Sequence, residues 1–120
     1  MPAPSKHDER IAKLSFASIY PLYLNRVEKN GRSEADLRKV ITWLTGFTSA
    51  QIDKQIAKES TFEAFFKQAK LNPKAKLIKG VICGYRVEEI ENPLTRKCRY
   101  LDKLVDELAR GKKMESILRT

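Results

Sequence analysis

Few residues of this 120-residue chain combine the types and spacing that catalysis or metal binding requires. The only histidine, His7, lies near the start of the chain, whereas a serine or cysteine hydrolase needs a base, usually histidine, beside its nucleophile. The two cysteines, Cys83 and Cys98, lack the C-x-x-C spacing typical of a zinc site. We therefore predict no catalytic residue, metal ligand or cofactor, and interpret both cysteines as buried small hydrophobic residues.

Three glutamates, Glu88, Glu89 and Glu91, are the remaining candidates for catalysis, because paired carboxylates can exchange protons with a substrate. On a helix, Glu88 and Glu91 would lie on one face. Arg86 and Arg96 are close in sequence, so a network of exposed ion pairs explains the same residues without any reaction. We favour the ion pairs, and an enzyme is the weakest of three functional hypotheses.

Between Ala64 and Val87 the chain has no acidic residue but six basic residues, the candidate polyanion site. They are Lys67, Lys70, Lys74, Lys76, Lys79 and Arg86. The whole chain has a formal net charge of +9, so these residues could form a surface that contacts the phosphates of a nucleic acid. Against this, the glutamates of RVEEIENP interrupt the basic stretches, and the sequence has no DNA-binding signature. Nucleic-acid binding is therefore the alternative function.

Helices must position these residues, and the apolar pattern predicts two of them between Asn72 and Gly111. Each begins at an Asn-Pro pair, since asparagine caps a helix and proline is tolerated at its first position. The stripe of the first helix consists of Leu77, Ile78, Val81, Ile82 and Tyr85. The face of the second, which ends at Gly111, consists of Leu94, Cys98, Leu101, Leu104, Val105 and Leu108.

Gly80 and Gly84 give the first of these helices a second interpretation. In a helix, small residues four apart let a neighbouring backbone approach closely, at a cost of about 1 kcal/mol each. A phosphate-binding loop would need a denser pattern such as GxGxxG, which this sequence lacks. The segment from Val81 to Cys83 is also compatible with a short buried strand. We favour close helix packing over the other two.

Start and stop signals predict five shorter helices earlier in the chain. Their predicted starts are Ser5, Pro21, Ser33, Thr48 and either Ser60 or Thr61. We place the second start at Pro21 and not earlier, because proline disfavours helical backbone at the residue before it. Phe62, Phe65 and Phe66 are predicted to be buried against the two C-terminal helices.

These elements predict an all-α fold, a compact single-domain bundle of about five to six short helices over residues 1–120, with essentially no sheet. Residues 1 to about 7 are predicted to be a disordered leader. Residues 112–120 are predicted to be a C-terminal helical tail that bears Met114, Ile117 and Leu118 and is either docked on the body or presented to a second subunit. Without a long apolar run or a signal peptide, the sequence predicts a cytoplasmic protein that does not bind membranes.

Four stretches of the sequence resemble a bacterial family catalogued only as a domain of unknown function (number 2200). They are FASIYPLYLNRVEKNGR, VITWLTGFT, NP followed by LIKGVICGYRVEEIENP, and RYLDKLVDELARGKKMESILR. The resemblance extends from about Phe16 to Arg119 and implies a small, mainly helical bacterial protein. It implies no activity, cofactor or catalytic residue.

We therefore predict that this basic protein is a non-catalytic protein-interaction or self-associating helical module. The apolar tail, the phenylalanine cluster and the Gly80–Gly84 pair could each complete a dimer interface. The sequence does not identify the partner; the candidates are a second copy of the chain, bound through the C-terminal tail, and nucleic acid as the alternative.

Overall fold

Helix α6 (Pro93–Ala109) is the longest helix of the structure, a computed structural model that describes residues 5–119. The Asn92 side chain accepts the N–H of Thr95 at 3.0 Å, and Pro93 occupies the first helical position. The helix ends where Gly111 adopts a left-handed φ of +85°, which costs little without a Cβ atom. The Asn-Pro and glycine signals therefore predict both ends.

Six further helices surround α6 in the described part of the chain. They are α1 (Lys6–Lys13), α2 (Phe16–Lys29), α3 (Glu34–Thr45), α4 (Ser49–Ala57), α5 (Phe62–Gln68) and α7 (Met114–Leu118). Two short 3-10 helices, Pro73–Leu77 and Val87–Glu89, flank an antiparallel hairpin of strands β1 (Val81–Ile82) and β2 (Tyr85–Arg86). The predicted all-α class is confirmed. None of the helices in residues 5–119 has the length and hydropathy to cross a bilayer.

The hydrophobic core is built around α6, which packs against α1, α2, α3, α5, α7 and β1. Leu101, Leu104 and Leu108 are fully buried along one face of α6, as their spacing predicts. The phenylalanines of α5 are also buried, and the rings of Phe16 and Phe65 stack with their centroids 4.2 Å apart. These aromatic side chains therefore belong to the core.

The predicted caps are present at four of the five earlier helix starts, one of them Thr61, whose side chain accepts the N–H of Ala64 at 3.1 Å. Capping boxes pair Ser5 with Asp8, Ser33 with Asp36 and Thr48 with Gln51. Helix α1 includes residues 6 and 7, which were predicted to belong to the disordered leader, while residues 1–4 lie outside the described part.

The predicted start of the second helix at Pro21 is wrong. Helix α2 begins at Phe16, where the Ser15 side chain accepts the N–H of Ser18 at 3.1 Å, and Pro21 lies inside it. Phe16 and Tyr20 lie in this first part of the helix and are only 0% and 5% exposed. Such burial offsets the cost of a proline that is itself exposed to solvent.

The helix predicted over Leu77 to Tyr85 is also wrong, as is the expectation of essentially no sheet. A 3-10 helix ends at Leu77, and the hairpin pairs Val81 with Arg86 and Ile82 with Tyr85. Gly80 and Gly84 have φ of +113° and +84°, and Cys83 has φ of +52°. An α-helix cannot contain these conformations, so the two glycines serve turns and not helix packing. The alternative prediction, a short strand near Val81 to Cys83, is closer to the observed hairpin.

The two cysteines differ in their surroundings. Cys98 is 4% exposed on α6, which confirms the prediction of a buried residue. Cys83 is exposed, so the prediction that it is buried is wrong. It occupies the turn of the hairpin and not a helix face.

The C-terminal tail is docked on the body of the molecule. Helix α7 packs against α3 and α6, and Ile117 is fully buried. The Arg119 guanidinium lies 2.7 Å from the Glu107 carboxylate of α6. The apolar residues of the tail are therefore in contact with their own chain.

Candidate functional site

A cavity of about 460 Å³ lies between the start of α1, the hairpin and α6. Its size falls within the range of about 300–1,000 Å³ that is common for small-molecule sites. Charged or aromatic side chains reach it from each of these elements. They include His7 and Asp8 of α1, Tyr85 and Arg86 of β2, Glu89 of the second 3-10 helix, and Arg99 of α6.

A hydrogen bond between two distant helices closes one side of this cavity. The Thr95 hydroxyl of α6 donates to the Asp8 carboxylate of α1 at 2.6 Å, and the Ser5 backbone N–H donates to the same carboxylate at 3.0 Å. These bonds, the one from Thr95 first, lower the pKa of Asp8. Asp8 therefore acts as a fixed acceptor that ties α1 to the start of α6.

The Arg99 side chain, one helical turn after Thr95 on α6, is also held in place at the cavity wall. Its Nη1 donates to Asp102 at 2.9 Å, and its Nη2 lies 3.3 Å from Nε2 of His7. A guanidinium cannot accept a hydrogen bond, so His7 is the acceptor in this contact. Asp102 also accepts the hydroxyl of Tyr23, whose pKa is raised by burial and then by Asp102 itself. A chain of contacts therefore runs from the core to the cavity wall.

Arg99 retains donor capacity despite these contacts. Its side chain is only 14% exposed, and its Nε is buried without a hydrogen-bond partner among residues 5–119. A buried guanidinium N–H without an acceptor costs free energy that an acceptor would restore. The two terminal nitrogens of Arg99 each keep a second N–H besides the one given to Asp102 or His7, and these donors suit a ligand atom that accepts hydrogen bonds.

The hairpin supplies the open side of the cavity. The Arg86 side chain is 61% exposed, and its salt-bridge partner Glu88 lies at the outer limit of 4.0 Å. The Tyr85 ring is tilted by 33° against the His7 ring, with the two centroids 6.2 Å apart. The opening thus presents a guanidinium beside two flat rings.

This arrangement is suited to binding an anion. Two guanidinium groups from separate elements can donate paired hydrogen bonds to a carboxylate or a phosphate. Aromatic faces beside them can pack against a flat apolar group of the same ligand. The Ser5 hydroxyl already donates to Asp8, and no cluster of three or more potential metal ligands occurs among residues 5–119.

Of the six basic residues predicted as a polyanion site, one lines the cavity, namely Arg86. The five lysines are exposed and lie on α5, on the first 3-10 helix and in the segments around it. Within residues 5–119 none of these five lysines forms a salt bridge; they are Lys67, Lys70, Lys74, Lys76 and Lys79. No ion pair therefore neutralises their charge there.

The carboxylates considered for catalysis are not arranged as one helix face. The 3-10 helix ends at Glu89, so Glu88 and Glu91 do not share a continuous helix. The Gly80 backbone N–H donates to the Glu88 carboxylate at 3.0 Å, and this bond lowers the pKa of Glu88. Of the three, Glu89 lines the cavity. Glu88 instead helps to fix the backbone of the hairpin.

Sequence reasoning missed three side chains of this cavity, namely His7, Tyr85 and Arg99. The Ser5–Asp8 capping signal placed His7 close to a helix start, but nothing local connects it to α6. The Asp8–Thr95 and His7–Arg99 contacts join residues 87 and 92 positions apart. Such pairs arise from how the helices pack, which one sequence does not reveal.

Comparisons with known proteins agree with the sequence resemblance. A family model described as "Uncharacterized protein conserved in bacteria (DUF2200)" matches residues 10–119. The chain is similar to the uncharacterised protein SP1917, whose crystal structure has 34% sequence identity and a TM-score of 0.87. That match covers 96% of this chain and 95% of the other. No match was found among the curated proteins.

Proposed function

We propose that this protein, which belongs to the bacterial family of uncharacterised proteins DUF2200, is a non-catalytic module that binds an organic anion. The ligand carries a carboxylate or phosphate next to a flat apolar group. The observation that carries the proposal is the cavity of about 460 Å³, where Arg86 and Arg99 lie beside the rings of His7 and Tyr85.

The two arginines have different roles in this proposal. Arg99 is fixed by Asp102 and His7 before a ligand arrives, so little rotamer entropy is lost when it binds. Arg86 is exposed and closes on the anion from the hairpin. Together they can supply donors to one charged group. Of the two carboxylates in the lining, Asp8 already accepts hydrogen bonds from Ser5 and Thr95, and Glu89 is exposed to solvent.

The same chemistry can come from two sources, a free metabolite or the carboxyl-terminal residue of a partner protein. The second source corresponds to the protein-interaction module that the sequence favours. Benzoate represents the free anion, and a short peptide ending in phenylalanine with a free carboxylate represents the partner. The same peptide with an amidated end is its matched control.

Amide NMR titration tests the proposal. Benzoate and phenyl phosphate should shift the signals of Tyr85, Arg86 and Arg99, whereas benzylamine, a cation with the same ring, should not. Arg86→Gln should weaken binding by about tenfold or more, because a hydrogen bond to a charged group contributes about 1.5–3 kcal/mol. Arg110→Gln, at the far end of α6, is the matched control. Equal shifts with benzylamine would contradict the proposal.

Nucleic-acid binding is a second candidate, supported by the five exposed lysines without salt bridges among residues 5–119. Affinity for single-stranded DNA should then fall by about 0.7 log units per phosphate contact for each tenfold rise in salt. Reversing Lys74, Lys76 and Lys79 to glutamate should abolish binding. The control reverses three exposed lysines on α2, α3 and α4, namely Lys29, Lys39 and Lys54. An equal loss of DNA affinity in both variants would indicate that binding depends on net charge alone and not on this surface.

Self-association, which the sequence also favours, is a third candidate. In the predicted interface, the C-terminal tail, Ile117 is fully buried against its own chain and Met114 and Leu118 are half-buried. The most exposed large apolar side chains of the described residues are Leu22, Val81 and Tyr85, at 62%, 55% and 54%. Light scattering at several concentrations measures the mass directly. A constant monomer mass would exclude a stable dimer.

A further inference from the structure

We propose that Cys83 and Cys98 are a peroxide-sensitive thiol pair that closes into a disulfide between the hairpin and α6. They are the only two cysteines of the chain, and both line a second cavity of about 280 Å³. Arg99 lines this cavity as well as the first one. The proposal rests on the placement of both thiols around this one space.

The two thiols have complementary surroundings. Cys98 is 4% exposed on α6, and burial followed by the nearby Asp102 raises the pKa of its thiol. Cys83 is exposed at the turn of the hairpin. An oxidant from solvent therefore meets Cys83 first. The raised pKa keeps the Cys98 thiol protonated and slows its own reaction with peroxide, so it is still a thiol for the second, slower step.

The turn itself is unusual for a cysteine. Cys83 and Gly84 have φ of +52° and +84°, the signs of a type I′ turn, whose first position favours asparagine, aspartate or glycine. A cysteine in this left-handed conformation is disfavoured relative to those residues. The conformation turns the chain so that residue 83 borders the cavity opposite α6.

The hairpin is the element that can adjust. Each of its strands has two residues, and so short a hairpin is marginally stable on its own. It is joined to α6 by the buried Ile82 and by Lys103, whose Nζ donates to the Val81 carbonyl at 3.3 Å. A disulfide requires Cα atoms about 4.4–6.8 Å apart. The bond forms when the hairpin tip brings Cys83 within that distance of Cys98 across the second cavity.

The chemistry is balanced with hydrogen peroxide as the oxidant. The Cys83 sulfur attacks one peroxide oxygen, the O–O bond breaks, and a sulfenic acid and one water form. The Cys98 sulfur then attacks the Cys83 sulfur, the S–O bond breaks, and the hydroxyl leaves as a second water with the Cys98 proton. Two thiols lose two electrons in total, and one peroxide becomes two waters.

Formation of the disulfide would also move residues that line the first cavity. The effect on ligand binding rests on the function proposed above. Tyr85 and Arg86 lie two and three residues beyond Cys83 and line that cavity. The oxidised protein should therefore bind benzoate with a different affinity, at least severalfold, from that of the reduced protein.

Peptide mapping tests the inference without any ligand. After treatment with hydrogen peroxide, trypsin should release residues 80–86 joined to residues 98–99, with a mass lower by two hydrogens, and dithiothreitol should separate them. Cys83→Ser, an exposed change that should fold normally, must abolish this product. Two alkylatable thiols after peroxide, a sulfinic acid at Cys83, or a dimer linked through Cys83 would each overturn the inference.

The benzoate titration keeps the two proposals apart. If the disulfide forms and neither redox state binds benzoate, the proposed function fails and the thiol pair stands. If the reduced protein binds benzoate and no disulfide forms, the proposed function stands and the thiol pair fails. If both redox states bind equally, only the coupling between the two cavities is overturned.

Discussion

Two segments of this protein begin with the same Asn-Pro pair and form different structures. After Asn92-Pro93 the chain continues as α6, a helix of 17 residues. After Asn72-Pro73 it forms five residues of 3-10 helix and then a hairpin. Both asparagine side chains cap the first turn, so the start signal works in each case. The residues beyond that signal decide the length of the helix.

The difference lies in glycines and burial. Helix α6 has no glycine before Gly111 and buries an unbroken face, whereas the other segment has Gly80 and Gly84 at positive φ. Each glycine destabilises a helix by about 1 kcal/mol, and the exposed Leu77 and Val81 offset little of that loss. The helix thus supplies a fixed wall of the candidate site, and the hairpin supplies a wall that can move.

The largest effect should come from breaking the fixed wall. Leu104→Ala removes a fully buried side chain from α6 and should lower the free energy of unfolding by about 2–5 kcal/mol. Val81→Ala, in the exposed strand, should change it by no more than about 0.5 kcal/mol. Urea unfolding measures both. Similar losses in the two variants would mean that the hairpin is as much part of the core as α6.

A smaller loss is expected where the fixed wall is joined to α1. Thr95→Val keeps the shape but removes the hydrogen bond to Asp8, which should cost about 1 kcal/mol at neutral pH. Because the pKa of Asp8 is lowered in the folded state, its carboxylate stabilises the fold above the ordinary value of 3.8. That contribution is lost as the pH falls through the folded value, below 3.8.

Urea unfolding of both proteins at pH values between neutral and strongly acidic checks this contribution. The native protein should lose more stability below the ordinary pKa of Asp8 than Thr95→Val does. Parallel pH profiles for the two proteins would show that the bond contributes nothing to the lowered pKa.

The sequence predicted the fixed wall better than the movable one. Caps such as Ser5 with Asp8 and the apolar spacing of α6 are local, so the residues alone indicate them. The stripe from Leu77 to Tyr85 has helical spacing too, but three positive φ angles override it. The cavity was not predictable in the same way, because His7 and Arg99 meet only through the packing of α1 on α6.

The smallest effect concerns the turn of the movable wall. Cys83→Asn places a residue that tolerates left-handed backbone at the first turn position, and should raise the free energy of unfolding by about 0.5 kcal/mol. Gly84→Ala should lower the free energy of unfolding by about 1 kcal/mol, because alanine is disfavoured at the positive φ of this position. Its added Cβ would meet no atom within 4 Å, so no clash contributes. Thermal unfolding resolves both. A destabilised Cys83→Asn variant would show that the thiol itself holds the turn.

The proposed anion site between the two walls is tested most directly by intermolecular nuclear Overhauser effects with bound benzoate. The ring protons of benzoate should give cross-peaks to the rings of His7 and Tyr85, and these should disappear when phenyl phosphate displaces the probe. Cross-peaks to the Lys74 and Lys76 side chains instead, or none at the cavity at saturating benzoate, would contradict the account.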